Sequence, residues 1–197
     1  MENNKKPLTD EQLAILRAQN ARLDEQNEKI LAEMQKAEAE GKKVPESVWA
    51  DGIPDNVEEK DKIKGDELLS MAVDYIMKNV IIQKGFKIEP GFPRPQFPNI
   101  VCKRDGVKYS IIIAPSVYPG FTSIDDKSRK TYAEATIKQD MIPLFASIGY
   151  RSIDSERAKA GLLLRGDVYV TTFPGFYVLN AEDNYTFDVN KAPMFRP

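Results

Sequence analysis

The stretch that decides the fold of this chain reads Asn99-Ile100-Val101-Cys102-Lys103-Arg104-Asp105-Gly106-Val107-Lys108-Tyr109-Ser110-Ile111-Ile112-Ile113-Ala114. Two largely apolar runs, Asn99–Lys103 and Lys108–Ala114, flank the segment Arg104–Val107. Asp-Gly between such runs is typical of a two-residue β-hairpin turn, because both residues tolerate positive φ angles. The three consecutive isoleucines are apolar on both faces, which predicts a central strand that is covered on both sides.

Helices and further strands are predicted around this hairpin from apolar spacing and from Gly and Pro. A first helix is expected to begin with Asp66 as its N-cap and to close at Gly85. The later elements are a helix from about Lys130 to Ile148 with a kink at Pro143, a short strand at Tyr150–Ile153, a helix at Asp154–Leu164 capped by Asp154 or Ser155, a terminal hairpin of Val168–Phe173 and Phe176–Asn180, and a surface tail from Phe187. The order predicts an α/β (α+β) domain, a small mixed sheet with helices packed on it.

The N-terminal segment has the pattern of one long amphipathic helix. Thr9 and Gln12 form a capping-box pair at its start, and Gly41 stands where such a helix would end. Its apolar and Asn positions repeat every seven residues, with Leu13, Asn20, Asn27 and Met34 at position a and Leu16, Leu23, Ile30 and Ala37 at position d. Asparagine at a buried a position specifies register in a parallel two-stranded coiled coil. We therefore expect self-association as a homodimer; the alternative is a single helix packed on its own domain.

These patterns predict three regions: a coiled-coil helix at residues 1–41, a linker at 42–65 and a globular domain at 66–197. The linker contains Pro, Gly and a run of charges, which disfavour regular structure. Trp49 is the only tryptophan, and we interpret it as an anchor that docks the linker onto the domain.

Composition excludes several classes of chemistry. The chain has no histidine and one cysteine, Cys102, so His-based catalysis, thiolate metal cages and internal disulfides are excluded. Cys102 lies in a predicted strand, where a small buried apolar role is expected. Nucleotide-binding and calcium-binding loop motifs are absent. No apolar run approaches the ~20 residues of a membrane span, and no signal peptide is visible. We expect a cytoplasmic protein with neither a metal nor a cofactor.

The order of helix, hairpin, helix and strand, with Phe97-Pro98-Asn99 and Ile113-Ala114-Pro115 in it, resembles the core of the PD-(D/E)xK nuclease superfamily, the restriction-endonuclease-like fold. In that family an Asp opens one strand, and an acid and a lysine two residues apart on the next strand complete a Mg²⁺ site. Here these positions are Asn99, Ile113 and Pro115. Since none of them can supply a carboxylate or an ammonium group, the resemblance implies a member that lacks catalytic residues.

Two groups of basic residues could contact nucleic-acid phosphates: Lys103, Arg104 and Lys108 at the hairpin, and Lys127, Arg129 and Lys130 near the second long helix. Interleaved Asp residues offset much of this charge. We therefore expect a non-catalytic binding or accessory protein that oligomerises through the N-terminal coiled coil and has a protein partner. The alternative is a nuclease-like nucleic-acid-binding protein, or a Mg²⁺-dependent nuclease with relocated acids such as Glu134.

Overall fold

The computed structural model describes residues 46–120, 122 and 124–179, the strand at 194–195, and residues 29, 32, 33, 36, 39 and 40. The chain forms two units, Met1–Glu46 and Ser47–Pro197. In the first unit the described residues 29, 32, 33, 36 and 39 are helical. The heptad positions on which self-association was predicted lie outside the described residues: Leu13, Leu16, Asn20, Leu23, Asn27, Ile30 and Met34.

One mixed β-sheet forms the centre of the second unit. Its strands are β1 (Lys87–Ile88), β2 (Ile100–Arg104), β3 (Val107–Val117), β4 (Ile142–Ser152), β5 (Tyr169–Thr172), β6 (Phe176–Val178) and β7 (Met194–Phe195). The order across the sheet is β1-β2-β3-β4-β6-β7, and β5 also pairs with β4. Among the strand pairs of the described residues, β3 and β4 are parallel and the others are antiparallel.

Among the residues that the structure describes in this unit, three α-helices accompany the sheet: α1 (Gly65–Ile76), which continues as a π-helical turn at Met77–Ile81, α2 (Asp126–Ile137) and the short α3 (Ser155–Lys159). The apolar face of α1 packs on one side of the sheet with Ile111, Ile113 and Leu144. On the other side, Ala133 of α2 packs with Ile112 and Phe145. The predicted fold class, a mixed sheet with helices packed on it, is confirmed. Within the described part of the chain, no helix is both long and apolar enough to cross a membrane.

The predicted central hairpin is confirmed. Strands β2 and β3 pair antiparallel, with Arg104 opposite Val107. Asp105 and Gly106 form the turn with φ angles of 51° and 84°. Both values are positive, as a type I′ hairpin turn requires, so a local signal of two residues correctly placed the centre of the sheet.

The helix predicted from Lys130 to Ile148 is wrong over its second half. Helix α2 ends at Ile137, and Ile142–Ser152 is the long strand β4, which pairs with β3 from Tyr109↔Ile142 to Val117↔Tyr150. The predicted short strand at Tyr150–Ile153 is the last part of β4. A run that is apolar on every side is compatible with a buried helix or a buried strand. Here the parallel partner β3 and the two covering helices make it a strand.

The predicted terminal hairpin is also wrong. Instead of pairing with each other, β5 and β6 both pair antiparallel with β4, through Gly149↔Thr172 and Ala146↔Phe176. Between these two pairs, the β5–β6 segment advances four residues, from Thr172 to Phe176, whereas β4 spans three, from Gly149 to Ala146. The extra residue is accommodated at Phe173-Pro174-Gly175, where Gly175 has a φ of 131°. The Pro-Gly pair therefore marks a bulge in one interrupted strand rather than a reversal of the chain.

Two helix boundaries also differ from the prediction. Helix α1 begins at Gly65 after Lys64, so Asp66 lies in its first turn rather than at the N-cap. Helix α3 has the predicted cap, because Asp154 Oδ1 accepts hydrogen bonds from the backbone N–H groups of Glu156 and Arg157. It ends at Lys159 instead of Leu164, and Gly161 follows with a φ of 66°.

Residues 47–64, which we call the strap, lie along the second unit. The Val48 N–H donates to Gly166 O at 3.1 Å, and the Ile63 N–H donates to Leu163 O at 2.9 Å. Between them, Trp49 Nε1 donates to Arg165 O at 2.8 Å, in agreement with the predicted anchoring role of Trp49. Both ends of the strap thus have defined hydrogen-bond partners in the domain, although composition predicted a linker there.

Candidate functional site

Asn99, the first of the three nuclease-type positions, lies just before β2 and is completely buried. Its Nδ2 donates to Arg94 O at 3.3 Å and to Pro95 O at 3.1 Å. Its Oδ1 accepts from the Ile113 N–H at 2.8 Å. Because both ends of the amide bind backbone groups, Asn99 joins the Pro-rich loop to the central strand β3.

Arg94 stabilises the same loop from the solvent side. Its Nε donates to Pro98 O at 3.1 Å and its Nη2 to Phe97 O at 3.4 Å. The guanidinium carbon lies 4.7 Å from the centre of the Phe92 ring. The loop at residues 90–98 therefore has a conformation supported by two polar side chains, Arg94 and Asn99, and exposes Phe97 to solvent.

The other two nuclease-type positions have no metal-binding groups. Ile113 is buried in the core beneath α1. Pro115 is half-buried, and its carbonyl accepts a hydrogen bond from Thr122 Oγ1 at 2.6 Å. Hard divalent cations are bound mainly by carboxylates, which these positions lack. Over the described residues no three acidic or cysteine side chains are grouped so as to hold a metal ion.

Three lysines form a straight row across one face of the sheet. Lys87 of β1 is directly opposite Lys103 of β2, and Lys103 is directly opposite Lys108 of β3. Directly opposite residues share a face, so all three side chains project on the same side, and all three are exposed. We call Lys87, Lys103 and Lys108 the lysine row. It brings together two residues predicted from the sequence and adds Lys87.

Lys87 was not predicted from the sequence, because the described strand β1 has two residues and a long Pro-rich loop separates β1 from β2. The alternation Phe86-Lys87-Ile88 was the available signal, with Phe86 buried and Lys87 exposed. Such a short alternation is weak evidence for a strand. Its position next to Lys103 depends on sheet pairing, which local sequence does not reveal.

The electrostatics of the row are only partly balanced. Glu89 Oε1 lies 3.6 Å from Lys108 Nζ. Lys87 and Lys103 form no ion pair with any residue in the described part of the chain. Like charges directly opposite each other on neighbouring strands are destabilising. The row is thus a concentrated positive charge with one carboxylate beside it.

Arg104, although next to Lys103 in sequence, is not part of the row. Its guanidinium carbon lies 5.2 Å from the centre of the Phe86 ring, and its Nε lies 3.3 Å from Asp105 Oδ2. Phe86 belongs to the core on the α1 side of the sheet. Arg104 therefore lies on the face opposite to the lysine row, as the alternation of side chains along a strand requires.

The second basic group lies at a different place. It belongs to helix α2, whose Tyr132 Oη donates to Ser110 Oγ of β3 at 2.8 Å, two residues along that strand from Lys108. Lys127 is exposed and Lys130 half-buried. Arg129 is buried, with Nη2 3.5 Å from Asp126 Oδ1. The two predicted groups thus lie on different elements, the β2–β3 hairpin with its strands and the first turns of α2.

A buried polar cluster that the sequence analysis missed joins the strap to α3. Arg157 pairs with Asp167 through Nε–Oδ2 at 3.2 Å and Nη2–Oδ1 at 3.3 Å, and both side chains are almost completely buried. Arg157 Nη1 also donates to Ala50 O at 2.7 Å and Gly52 O at 2.6 Å. Ser152 Oγ donates to Asp167 Oδ2 at 2.7 Å. Only long-range contacts distinguish Arg157 from an ordinary exposed helix arginine.

Cys102 is predicted to be chemically inert in the folded chain. It is completely buried, and burial raises the pKa of its thiol to about 12. Since the thiolate is the reactive form, an aromatic disulfide reagent at pH 8 should not modify the native protein, whereas one thiol should react in concentrated urea. Rapid stoichiometric labelling without urea would contradict this expectation.

One of three comparisons with known proteins finds a match, and that match covers the globular part of the chain. No curated protein and no solved structure matches the sequence. A family model matches residues 66–179, which include α1 except for its first residue, the sheet from β1 to β6, and both α2 and α3. The strap lies outside the matched range. The chain therefore belongs to the family described as a domain of unknown function, DUF8840.

Proposed function

We propose that this protein is a non-catalytic binding or accessory module that associates through its N-terminal heptad segment. The proposal that the protein is non-catalytic rests on the hydrogen bonding of Asn99. At the position where the nuclease family has a metal-binding acid, this chain has a buried amide whose two ends bind Ile113 N–H and the carbonyls of Arg94 and Pro95. A group used in this way can neither ligate a cation nor activate water.

The topology supports the nuclease resemblance that forms part of this proposal. The chain runs from α1 through the antiparallel pair β2–β3 and the crossover helix α2 to the parallel strand β4. That order is the one on which the resemblance rests. With Ile113 in the core and Pro115 at the end of β3, the proposal is a nuclease-like architecture without nuclease chemistry.

The catalytic part of the proposal is tested with the full chain, DNA or RNA, and Mg²⁺ or Mn²⁺. We expect no cleavage product beyond that of the buffer. Cleavage that is abolished by a chelator would overturn the proposal. If that cleavage were also lost in Glu134→Ala, whose parent side chain is exposed on α2, the alternative of a nuclease with relocated acids would replace it.

Self-association is supported by the heptad repeat and by Asn20 and Asn27 at its a positions. Sedimentation equilibrium should give twice the chain mass for the full protein. The double variant Leu16→Glu/Leu23→Glu, and a fragment of residues 47–197, should both be monomeric. The fragment begins at residue 47 because the strap binds the second unit. Equal association of all three proteins would contradict the coiled-coil proposal.

A cytoplasmic location is part of the same proposal. It rests on the single cysteine, which is buried, and on the lack of any possible internal disulfide.

A further inference from the structure

We propose that the lysine row binds the phosphate backbone of a nucleic acid without reading its sequence. The inference rests on the proposed non-catalytic binding function and names its partner. It begins from the arrangement itself: Lys87, Lys103 and Lys108 are side by side on three adjacent strands. Neighbouring strands are about 4.8 Å apart, so the three ammonium groups extend over roughly 10 Å in a line.

Protection of a sheet edge does not explain this row. Lysines on edge strands commonly prevent sheets from pairing with one another. Lys87 is on the edge strand β1, but Lys103 is on the interior strand β2, which pairs on both sides. The three adjacent lysine charges repel one another and so disfavour the folded state. A bound anion that offsets this repulsion is the simplest reason for the lysines to be adjacent.

The chemistry of the row favours regularly spaced phosphates as that anion. Lysine acts as a compact point charge that contacts phosphate oxygens, and such contacts position a nucleic acid without specifying its bases. Beyond the row, the same face continues to Val101 and Ser110, both buried, and Tyr132 Oη of α2 donates to Ser110 Oγ at 2.8 Å. The row therefore has no exposed aromatic or amide side chain from these positions with which to read a base.

The site is also separate from the nuclease-type positions. Lys103 is four residues along β2 from Asn99, and Lys108 is seven residues along β3 from Pro115. These separations correspond to about 13 Å and 23 Å along the strands. Binding at the row thus does not depend on any residual active-site cleft.

Glu89 should weaken the site, because its carboxylate lies 3.6 Å from Lys108 Nζ and competes with phosphate. This gives the proposal a variant that is expected to strengthen binding. Glu89→Gln removes the competing charge, whereas substitution of the lysines removes the attraction. If these residues had a merely structural role, we would not expect one substitution to raise the affinity for phosphate and the other to lower it.

The test measures the affinity of the full chain for two DNA duplexes of unrelated sequence and for single-stranded RNA. Each affinity is measured between 50 and 200 mM salt. Three phosphate contacts predict a log–log slope near −2.7 for duplex, or a loss of about 40-fold over this range. Lys87→Ala/Lys103→Ala/Lys108→Ala should reduce the magnitude of that slope by about 2.7. Glu89→Gln should bind more tightly than the natural chain.

The matched control is Lys60→Ala/Lys78→Ala/Lys159→Ala, which removes three exposed lysines on the strap, the π-helical turn after α1 and α3, and changes the net charge equally. It should keep the slope of the natural chain. An equal loss in both triple variants would overturn the proposal, since only net charge would then matter. Row-dependent binding to vesicles containing phosphatidylserine, without binding to DNA or RNA, would also overturn it. Absence of binding to DNA and RNA would overturn the lysine-row proposal and leave the proposal of a non-catalytic protein intact. Cleavage of the nucleic acid would overturn only the proposal of a non-catalytic protein.

Discussion

Replacing Arg157 by methionine is expected to lower the free energy of unfolding by about 3–5 kcal/mol. The substitution leaves the Asp167 carboxylate buried without its cation and leaves the carbonyls of Ala50 and Gly52 without their donor. Removing one partner of a buried ion pair is costly for this reason, even where the intact pair contributes little. Urea unfolding monitored by the fluorescence of Trp49, the only tryptophan, measures the change.

The double variant Arg157→Met/Asp167→Leu separates the cost of an uncompensated charge from the cost of a lost contact. It should recover part of the stability, because both buried charges are removed together. Arg165→Ala is the matched arginine control. Arg165 pairs with Glu67 at the surface, so its removal should leave the unfolding midpoint nearly unchanged. If Arg157→Met behaved like Arg165→Ala, the buried cluster would not be what binds the strap.

Replacing Asn99 by alanine is expected to cost about 3 kcal/mol, the upper end of the range for an unsatisfied buried group. The change leaves the Ile113 N–H without an acceptor in the core and releases the loop from β3. Phe97→Ala, two residues away, is a suitable control because Phe97 is 61% exposed. A similar loss in both variants would indicate that the loop, rather than the amide, determines stability.

Asn99→Asp should be destabilising in a pH-dependent way. One carboxylate oxygen would still accept from Ile113 N–H, but the other would face the carbonyls of Arg94 and Pro95. The folded state therefore favours the protonated acid and raises its pKa above the unfolded value near 3.9. Stability relative to the natural chain is then greatest below that value and falls as pH rises through the folded pKa. Greater relative stability at pH 7 than at pH 4 would contradict this.

Local signals were sufficient where one short segment determines its own conformation. The hairpin is an example, because the positive φ angles of Asp105 and Gly106 depend on those two residues. The Asp154 cap is another, since the side chain and the N–H groups it binds are within three residues. The strand β4 was predicted as a helix because its apolar residues satisfy both periodicities, and only pairing with β3 distinguishes them.

The candidate site divides in the same way. Asn99, Lys103 and Lys108 were identified from the sequence, but Lys87 was not, because a long loop separates it from the strand that it joins. By its local sequence Arg157 is an ordinary helix residue. Two of its hydrogen-bond acceptors, the carbonyls of Ala50 and Gly52, nevertheless belong to the strap, more than 100 residues earlier in the chain. Charge and residue type were thus readable locally, whereas adjacency was not.

By itself, the sequence determined the absence of histidine chemistry, the central hairpin and the lack of acidic side chains at Asn99, Ile113 and Pro115. These properties depend on composition or on a few consecutive residues. The tertiary structure alone decided that Ile142–Ser152 is a strand, that three lysines form one row, and that the strap is bound by Arg157. The physical reason is that sheet register and burial arise from residues distant in the chain, so the hydrogen bonds and charges that they create are absent from any local pattern.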